Sequence, residues 1–441
     1  NGDHFDEDTS RAAVLAYDYT VLAGTQGLFN HKKTDRVLEI AQDWQVPMVF
    51  YTEGGGGRPG DTDASKISGG GLDVMTFATW AKASGVAPRI AVNNGYCFAG
   101  NAVLFGCADV TIATKSSYIG MGGPAMIEGG GLGQVAPKDI GPMEVQAENG
   151  VVDLLAENEI EATAMAKQLL GYFQGSLREH TCDDQRKLRT LIPEDRKRAY
   201  DMRAALELLA DTGSFLELRR AYGKGMITGF MRIEGRPFGL IANNPAHLGG
   251  AIDAEAAEKA ARFVQLCDGF DLPIVSFCDT PGFMVGPEHE KLATVRRASS
   301  LLVAGASVSV PVFLVVMRKG YGLGAQAMGM GSLHVPQMSV AWPTGEFGPM
   351  GLEGAVRLGY SKEIAAAGGE GTPDGDALFN KLLGAMIENG KALNAAMYHE
   401  IDAVIDPKDT RAYLLRALKT MPVGKKGSSH SQGKRPFIPT W

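Results

Sequence analysis

The common sequence markers of metal, redox and nucleotide chemistry are missing from this chain, and each absence removes a class of function. Cysteine is scarce: Cys97, Cys107, Cys182, Cys267 and Cys278 make up the whole set, with no C-x-x-C pair. An odd, unpatterned set in a chain this long predicts reduced thiols in a cytosol-like compartment. The cysteines and the 8 histidines show no zinc-type spacing and no H-E-x-x-H, so no metal site is expected. No G-x-x-x-x-G-K-[ST] supports a P-loop, and no G-x-S-x-G supports a hydrolase elbow. No apolar run approaches about 18 residues and no signal-peptide pattern opens the chain, so no membrane contact is expected. The reading is cytoplasmic, or mitochondrial matrix if a transit segment precedes Asn1. No basic stripe offsets a formal net charge of −7, which argues against nucleic acid as a partner. Only the tail from Gly424 to Arg435 is locally basic, and it reads as solvated.

What the chain has in excess is glycine, 57 of 441 residues, gathered in particular loops. Clustered glycine marks backbone that approaches something closely or takes positive φ. The length and a 45% hydrophobic content suffice for two domains, each with its own core. An internal repeat supports two. Residues 36–58 (RVLEIAQDWQVPMVFYTEGGGGR) and 262–286 (RFVQLCDGFDLPIVSFCDTPGFMVG) share one grammar of amphipathic helix, proline, short apolar strand and tight turn. Residues 86–113 and 309–335 continue it. Pro47 and Pro273, Pro88 and Pro311, and Gly95-Tyr96 and Gly320-Tyr321 are each about 225 positions apart, as a duplication requires. Strands are expected at Pro47–Tyr51 and Ile274–Cys278, and a helix at Leu155–Tyr172. The polar, arginine-rich stretch Gln174–Tyr200 reads as the inter-domain connection. Domains are therefore expected at 1–175 and 176–441.

Four glycine-bearing loops follow predicted strands: Glu53–Arg58, Gly95–Asn101, Asp279–Phe283 and Gly320–Gln326. The second and fourth run into small-residue helix starts. Such turns present free backbone N–H groups, which stabilise a developing oxyanion or a phosphate. Their occurrence at matching places in both halves predicts two oxyanion holes, one per domain. No acid/base pair stands out beside them.

These same residues resemble the carboxyltransferase β-subunits of propionyl-CoA and related acyl-CoA carboxylases. The pattern is carried by Gly235–Gly239, Asn243-Asn244-Pro245, Ala261–Val264, Cys267-Asp268, Asp279–Gly286 (DTPGFMVG), Arg318–Met328 (RKGYGLGAQAM) and Ala341–Val356 (AWPTGEFGPMGLEGAV). In the N-terminal half it continues through the loop ending at Arg58, Gly95–Asn101 and Gly122-Gly123-Pro124. The resemblance implies an α/β fold of two tandem crotonase-like ββα-spiral domains, acyl-CoA on the N-terminal side and biotin on the C-terminal side. The implied reaction moves a carboxyl group from N1′ of biotin to the α-carbon of an acyl-CoA. Carried over residue by residue, one hole falls on the amides of Ala99 and Gly100 and the other on Leu323 and Gly324. The acyl-CoA side takes Gly56, Gly57, Arg58, Asn101, Gly122 and Gly123. The biotin side takes Gly282, Phe283, Tyr321, Gly322, Ala325 and Gln326. Relatives often carry a small, apolar or acidic residue where Gln326 stands, so Gln326 argues against a simple acetyl or propionyl preference.

Arg58 fits either a CoA phosphate or a structural ion pair. His247 and His289 read as surface or packing residues, Trp342 and Phe347 as core or interface, and Glu346 as a hydrogen-bonded structural carboxylate. No A/V-M-K-M biotinylation turn occurs and no ATP-binding region is recognisable. Biotin is thus expected on another subunit or domain, with biotin carboxylase and biotin carrier components as partners and a homo-oligomer, typically a hexamer. The family pattern is entered at Asp18–Leu28 (DYTVLAGTQGL). That suits a piece of a longer subunit or the carboxyltransferase end of a fused carboxylase. A biotin-dependent decarboxylase and a scaffold subunit are the competing readings.

Overall fold

The computed structural model describes residues 10–58, 61 and 72–421, so the basic tail Gly424–Arg435 lies outside the described residues. The chain divides into two compact units. One runs to Ser176 and includes Leu218–Tyr222; the other takes Leu177–Glu217 and the described residues 223–421. Leu177–Tyr200, read from the sequence as a connection, is therefore part of the second unit.

The first unit is built on short strands: β1 (Ala13–Ala16), β2 (Met48–Tyr51), β3 (Arg89–Asn93), β4 (Tyr96–Phe98), β5 (Val110–Thr114), β6 (Tyr118–Gly120) and β7 (Leu154–Ala156). Five of them form a parallel sheet in the order β1-β2-β3-β5-β7, while β4 and β6 pair separately, also in parallel. Every residue of β3 and β5 is buried, which is why their centres are apolar on both faces and the polar Arg89 and Asn93 stand at the ends of β3. The helix Leu28–Asp43 returns the chain from β1 to β2 and buries His31, Thr34, Leu38 and Ala41, the i, i+3, i+7, i+10 stripe of one helical face. The helix expected at Leu155–Tyr172 begins later, at Glu159. Leu154–Ala156 extends instead along β5, and Asn158 then caps the helix by accepting the Glu161 N–H.

The second unit repeats the plan on a larger scale. Its strands are β8 (Leu216–Leu218), β9 (Met226–Ile233), β10 (Arg236–Asn243), β11 (Ile274–Thr280), β12 (Val312–Tyr321), β13 (Met338–Ala341), β14 (Glu346–Gly348) and β15 (Ala403–Val404). They run β15-β13-β12-β11-β10-β9-β8, with β14 pairing the far end of β12. The hairpin β9–β10 is antiparallel and the pairings from β10 through β15 are parallel. Between β10 and β11 runs the helix Ala254–Gly269, capped by Asp253, whose carboxylate accepts the Ala256 N–H at 2.8 Å. Trp342 and Phe347 are buried, as their apolar rings predict.

The duplication extends to backbone conformation. Leu22, Ala23 and Gly24 take positive φ, and so do Leu248, Gly249 and Gly250; Gln45 and Asp271 likewise. Gln26 bridges Gly57 as Ile252 bridges Phe283, both in parallel. One sequence anchor slips, however. Phe98 lies opposite Gly120 in the β4–β6 ladder, and Tyr321 lies opposite Gly348 in the β12–β14 ladder. Phe98 is thus the counterpart of Tyr321, and the next residues, Ala99 and Gly322, have φ of 51° and 53°. The matching of Gly95-Tyr96 with Gly320-Tyr321 is off by two residues, because residue type aligned them where pairing register does not.

Candidate functional site

In the first unit, the loop after β2 and the start of the helix Gly100–Gly106 come together. A Cβ added to Gly56 would lie 2.5 Å from the Ala99 Cβ and 3.4 Å from the Gly100 nitrogen, so only glycine lets the two backbones approach. Gly56 donates its N–H to the Asn101 Oδ1 at 3.0 Å, and the Arg58 N–H reaches the Gln26 carbonyl at 2.8 Å. Between them, the Gly57 N–H meets no acceptor among the described residues, and neither does the Gly100 N–H at the first position of the helix. Two unengaged donors, one from each loop, are what an oxyanion hole needs.

Ala99 corrects one sequence expectation. Its N–H donates to the Gly120 carbonyl at 3.1 Å, which removes it from the hole. Ala99 instead takes φ 51° and ψ −122°, a strained turn that starts the helix at Gly100. Asn101, expected at the acyl pocket, is wholly buried and holds the loop together through Gly56, the Glu53 carbonyl at 3.3 Å and the Gly24 carbonyl at 3.4 Å. Arg58 is a structural partner here: its side chain is 10% exposed and engages Asp61 at 3.4 Å and the Thr25 carbonyl at 3.2 Å. Gly122 and Gly123 follow β6. The Cβ position of Gly123 falls 3.2 Å from the Phe98 ring, so this turn packs behind β4.

Glu53 ends the first loop's approach and accepts the Asn94 N–H. Burial pushes its carboxyl above the ordinary carboxylate range, opposed by hydrogen bonds from its own and the Asn94 backbone. A carboxyl raised in the folded state contributes stability that is fully present below the unfolded value, about 4.3, and lost as pH rises through the folded value. Glu53→Gln should therefore gain thermal stability relative to wild type as pH climbs from 4 towards 8, then level off. Parallel melting curves across that range test it, and a difference that does not vary with pH rules it out.

The second unit holds the counterpart. The Phe283 N–H, equivalent to that of Gly57, and the Leu323 N–H, equivalent to that of Gly100, meet no acceptor among the described residues. Gly282 takes φ 125°, donates to Thr280 Oγ1 at 3.1 Å and accepts from the Ile252 N–H at 3.0 Å, which fixes the turn. A Cβ on Gly324 would stand 2.7 Å from the Gly282 Cα, so the helix Gly322–Met328 presses directly against that turn. Gly324 thus serves as a close-packing residue, and its N–H belongs to the following position of the helix.

Tyr321, expected to face biotin, turns its hydroxyl inward. It donates to the Glu346 carboxylate and accepts from Arg196 Nη2 at 3.2 Å. Burial, reinforced by Glu346, pushes the phenol well above its ordinary value and keeps it a donor. Glu346 is the structural carboxylate anticipated, held at 2.6 and 3.0 Å by Nη2 and Nε, one edge of the Arg196 guanidinium. Asp279, at the end of β11, is wholly buried and paired with Arg318 at 3.0 Å. Sequence reasoning passed over Arg196, Asp279 and Arg318 as partners, since their spacing carries no local pattern. Gln326 and Ala325 line a cavity of about 700 Å³ with Gly320, Gly322, Phe347 and Tyr398.

The carboxyl transferase domain family matches residues 10–431. The chain is 32% identical to the propionyl-CoA carboxylase beta chain of Saccharopolyspora erythraea, over 94% of this chain and 78% of that one. It is also 32% identical to the methylmalonyl-CoA carboxyltransferase 12S subunit of Propionibacterium freudenreichii, covering 95% and 83%. Among solved structures, a single-chain, multi-domain long-chain acyl-CoA carboxylase superposes with a TM-score of 0.88 at 53% identity over 94% of this chain. This chain spans only 40% of that protein's length. The transcarboxylase 12S structure with methylmalonyl-CoA superposes with a TM-score of 0.79 at 30% identity, covering 93% and 80%. The two repeated units are thus the tandem crotonase-like domains expected from the sequence. Among the described residues, no helix is long and apolar enough to cross a membrane.

Proposed function

Because this chain belongs to the carboxyl transferase family and is a biotin-dependent acyl-CoA carboxyltransferase, we propose that its two backbone donor pairs divide the reaction's two oxyanions between them. The observation that carries this is the repetition: Gly57 with Gly100, and Phe283 with Leu323, leave the same two N–H groups without an acceptor among the described residues of each unit. Removing the α-proton of an acyl-CoA places negative charge on the thioester oxygen, and the Gly57 and Gly100 amides are suited to receive it. Carboxybiotin supplies the carboxyl group, and its N1′ can accept the proton once that group has left. The Phe283 and Leu323 amides fit its ureido oxygen, which carries the charge at that stage. No side-chain base is then required. Gly56, Gly122 and Gly123 shape the acyl-CoA side; Gly282, Gly322, Ala325 and Gln326 shape the biotin side.

Biotin arrives on another subunit or domain, delivered by a carrier that a biotin carboxylase has loaded. Several copies of this unit assemble, as in the transcarboxylase 12S hexamer. The domain division lies at residues 175 and 176. The acyl group is long, a reading that 53% identity to a long-chain acyl-CoA carboxylase favours.

The test runs the reaction in reverse, with free biotin and malonyl-, methylmalonyl- or long-chain α-carboxyacyl-CoA. Biotin-dependent decarboxylation of the long-chain compound is expected. At about 0.8 kcal/mol per buried methylene, four further methylenes give it an advantage on the order of 10²-fold in kcat/KM. Equal turnover of methylmalonyl-CoA would remove the long-chain assignment. No turnover of any compound by folded protein, with carrier domain supplied, would remove this chain as sufficient for the transfer.

A further inference from the structure

Five residues of the stretch read from sequence as a linker, Arg196-Lys197-Arg198-Ala199-Tyr200, hold the end of β12 directly and reach the end of β11 through Arg318. Arg196 clasps the helix side. Its Nε and Nη2 hold the two oxygens of Glu346 at 3.0 and 2.6 Å, its Nη2 reaches the Tyr321 hydroxyl at 3.2 Å, and its Nη1 reaches Glu353 at 2.7 Å. Tyr321 immediately precedes the turn that sets the Leu323 N–H, and Glu346 begins the strand paired to that end of β12.

Two residues on, the same stretch holds β12 again, at Arg318. The Arg198 carbonyl accepts Arg318 Nη1 at 2.7 Å, and the Tyr200 ring lies 4.8 Å from the Arg318 guanidinium. Arg318 in turn holds Asp279 at 3.0 Å, and Asp279 also accepts the Lys319 N–H at 3.2 Å. Asp279 leads directly into the turn that sets the Phe283 N–H.

We propose that Arg196–Tyr200 is a strap that sets the spacing of the Phe283 and Leu323 amides, with Arg196 and Tyr200 as positioning residues for carboxyl transfer. The physical argument is one of tolerance. A donor pair stabilises an oxyanion only when both N–H groups stand at hydrogen-bonding distance together, and displacement of about 1 Å costs on the order of 10²-fold in rate. The two amides sit on different loops; this stretch is bonded directly to the end of β12 that leads to one, and through Arg318 and Asp279 to the end of β11 that leads to the other. A planar guanidinium holding one carboxylate through two bonds fixes direction as well as distance, which a lysine ammonium cannot reproduce.

The kinetic arm of the test rests on the two-hole reading; the exchange arm does not. In biotin-dependent decarboxylation, Arg196→Gln should lower kcat by about 10- to 100-fold while KM for the acyl-CoA stays within about twofold of wild type. Arg196→Lys should recover part of the loss, and Tyr200→Leu should fall as Arg196→Gln does. Arg189→Gln, which removes the exposed pair with Asp406, should leave kcat unchanged. In hydrogen exchange, the amides of residues 280–284 and 320–326 should exchange faster in Arg196→Gln, with the helix Glu159–Phe173 unaltered. Full kcat in Arg196→Gln, or unaltered exchange in both segments, overturns the strap. If wild type itself fails to turn over, the two-hole reading falls and the exchange result alone decides the strap.

Discussion

Replacing Leu323 by proline is expected to lower kcat for carboxyl transfer by about 10²–10³-fold, the usual cost of one oxyanion-hole donor. The substitution is a clean removal of a single N–H. Leu323 is the second residue of the helix Gly322–Met328, within the first turn, where proline is tolerated and no intrahelical bond is lost. The Leu323 side chain is 65% exposed, so nothing packs on it that a ring would displace. Gly324 offers no such clean variant, since any Cβ there would press to 2.7 Å from the Gly282 Cα. Gly100 is equally unsuitable, because its Cβ position lies 2.2 Å from Gln26 Oε1. Leu323→Ala keeps the N–H and removes the same side-chain bulk, so the ratio of the two variants isolates the donor. Steady-state kinetics with free biotin would supply that ratio. Should proline and alanine variants turn over alike, the Leu323 amide has no part in the chemistry and the second hole must be sought elsewhere.

Asp109→Ala should destabilise the first unit by about 3–5 kcal/mol, the range for stripping one partner from a buried ion pair. Arg89, the first residue of β3, and Asp109, just before β5, are each 2% exposed in their side chains and meet at 2.7 Å. The carboxylate also accepts the Arg89 N–H at 2.9 Å and Nε at 3.2 Å, so its removal leaves a buried guanidinium with the Trp80 carbonyl, at 2.9 Å, and the Trp80 ring as its partners among the described residues. The exposed pair Lys115 and Glu157 in the same unit, at 57% and 63% exposure, is expected to be worth about 0–1 kcal/mol. Urea unfolding of Asp109→Ala and Glu157→Ala, with the first unit's fluorescence as probe, would compare them directly. A loss in Asp109→Ala no larger than in Glu157→Ala would show that Arg89 is relieved by water or by a shift of β3.

The architecture was legible because its signals are local. Pro47 and Pro273, the apolar runs that follow them and the turns at Gly54–Gly57 and Asp279–Phe283 each announce a strand and its end within a dozen residues. Repetition of that grammar then implies duplication, and duplication implies paired sites. Glycine content located the loops for a similar reason: Gly56 and Gly324 are required by backbone approach, which residue type alone reports. Glu346 was recognisable as a structural carboxylate, although its partner was not.

What remained hidden is set by neighbours distant in sequence. Whether an amide is free to receive an oxyanion depends on which carbonyl it faces. The Ala99 N–H is engaged by Gly120 across the β4–β6 ladder, a register that no spacing of Gly and Tyr could supply. Asn101 and Tyr321 have side chains that look available for a ligand until Glu53, Gly56, Arg196 and Glu346 are seen to occupy them. Arg196 meets Glu346 across 150 positions and Tyr321 across 125, so a charged residue in an apparent linker becomes part of the frame behind a donor pair. Sequence by itself therefore determined the duplicated strands, the turns and the family. The choice of donors, and of the residues that hold them, was decided only by tertiary structure, because hydrogen-bond partners are settled by folded distance and orientation.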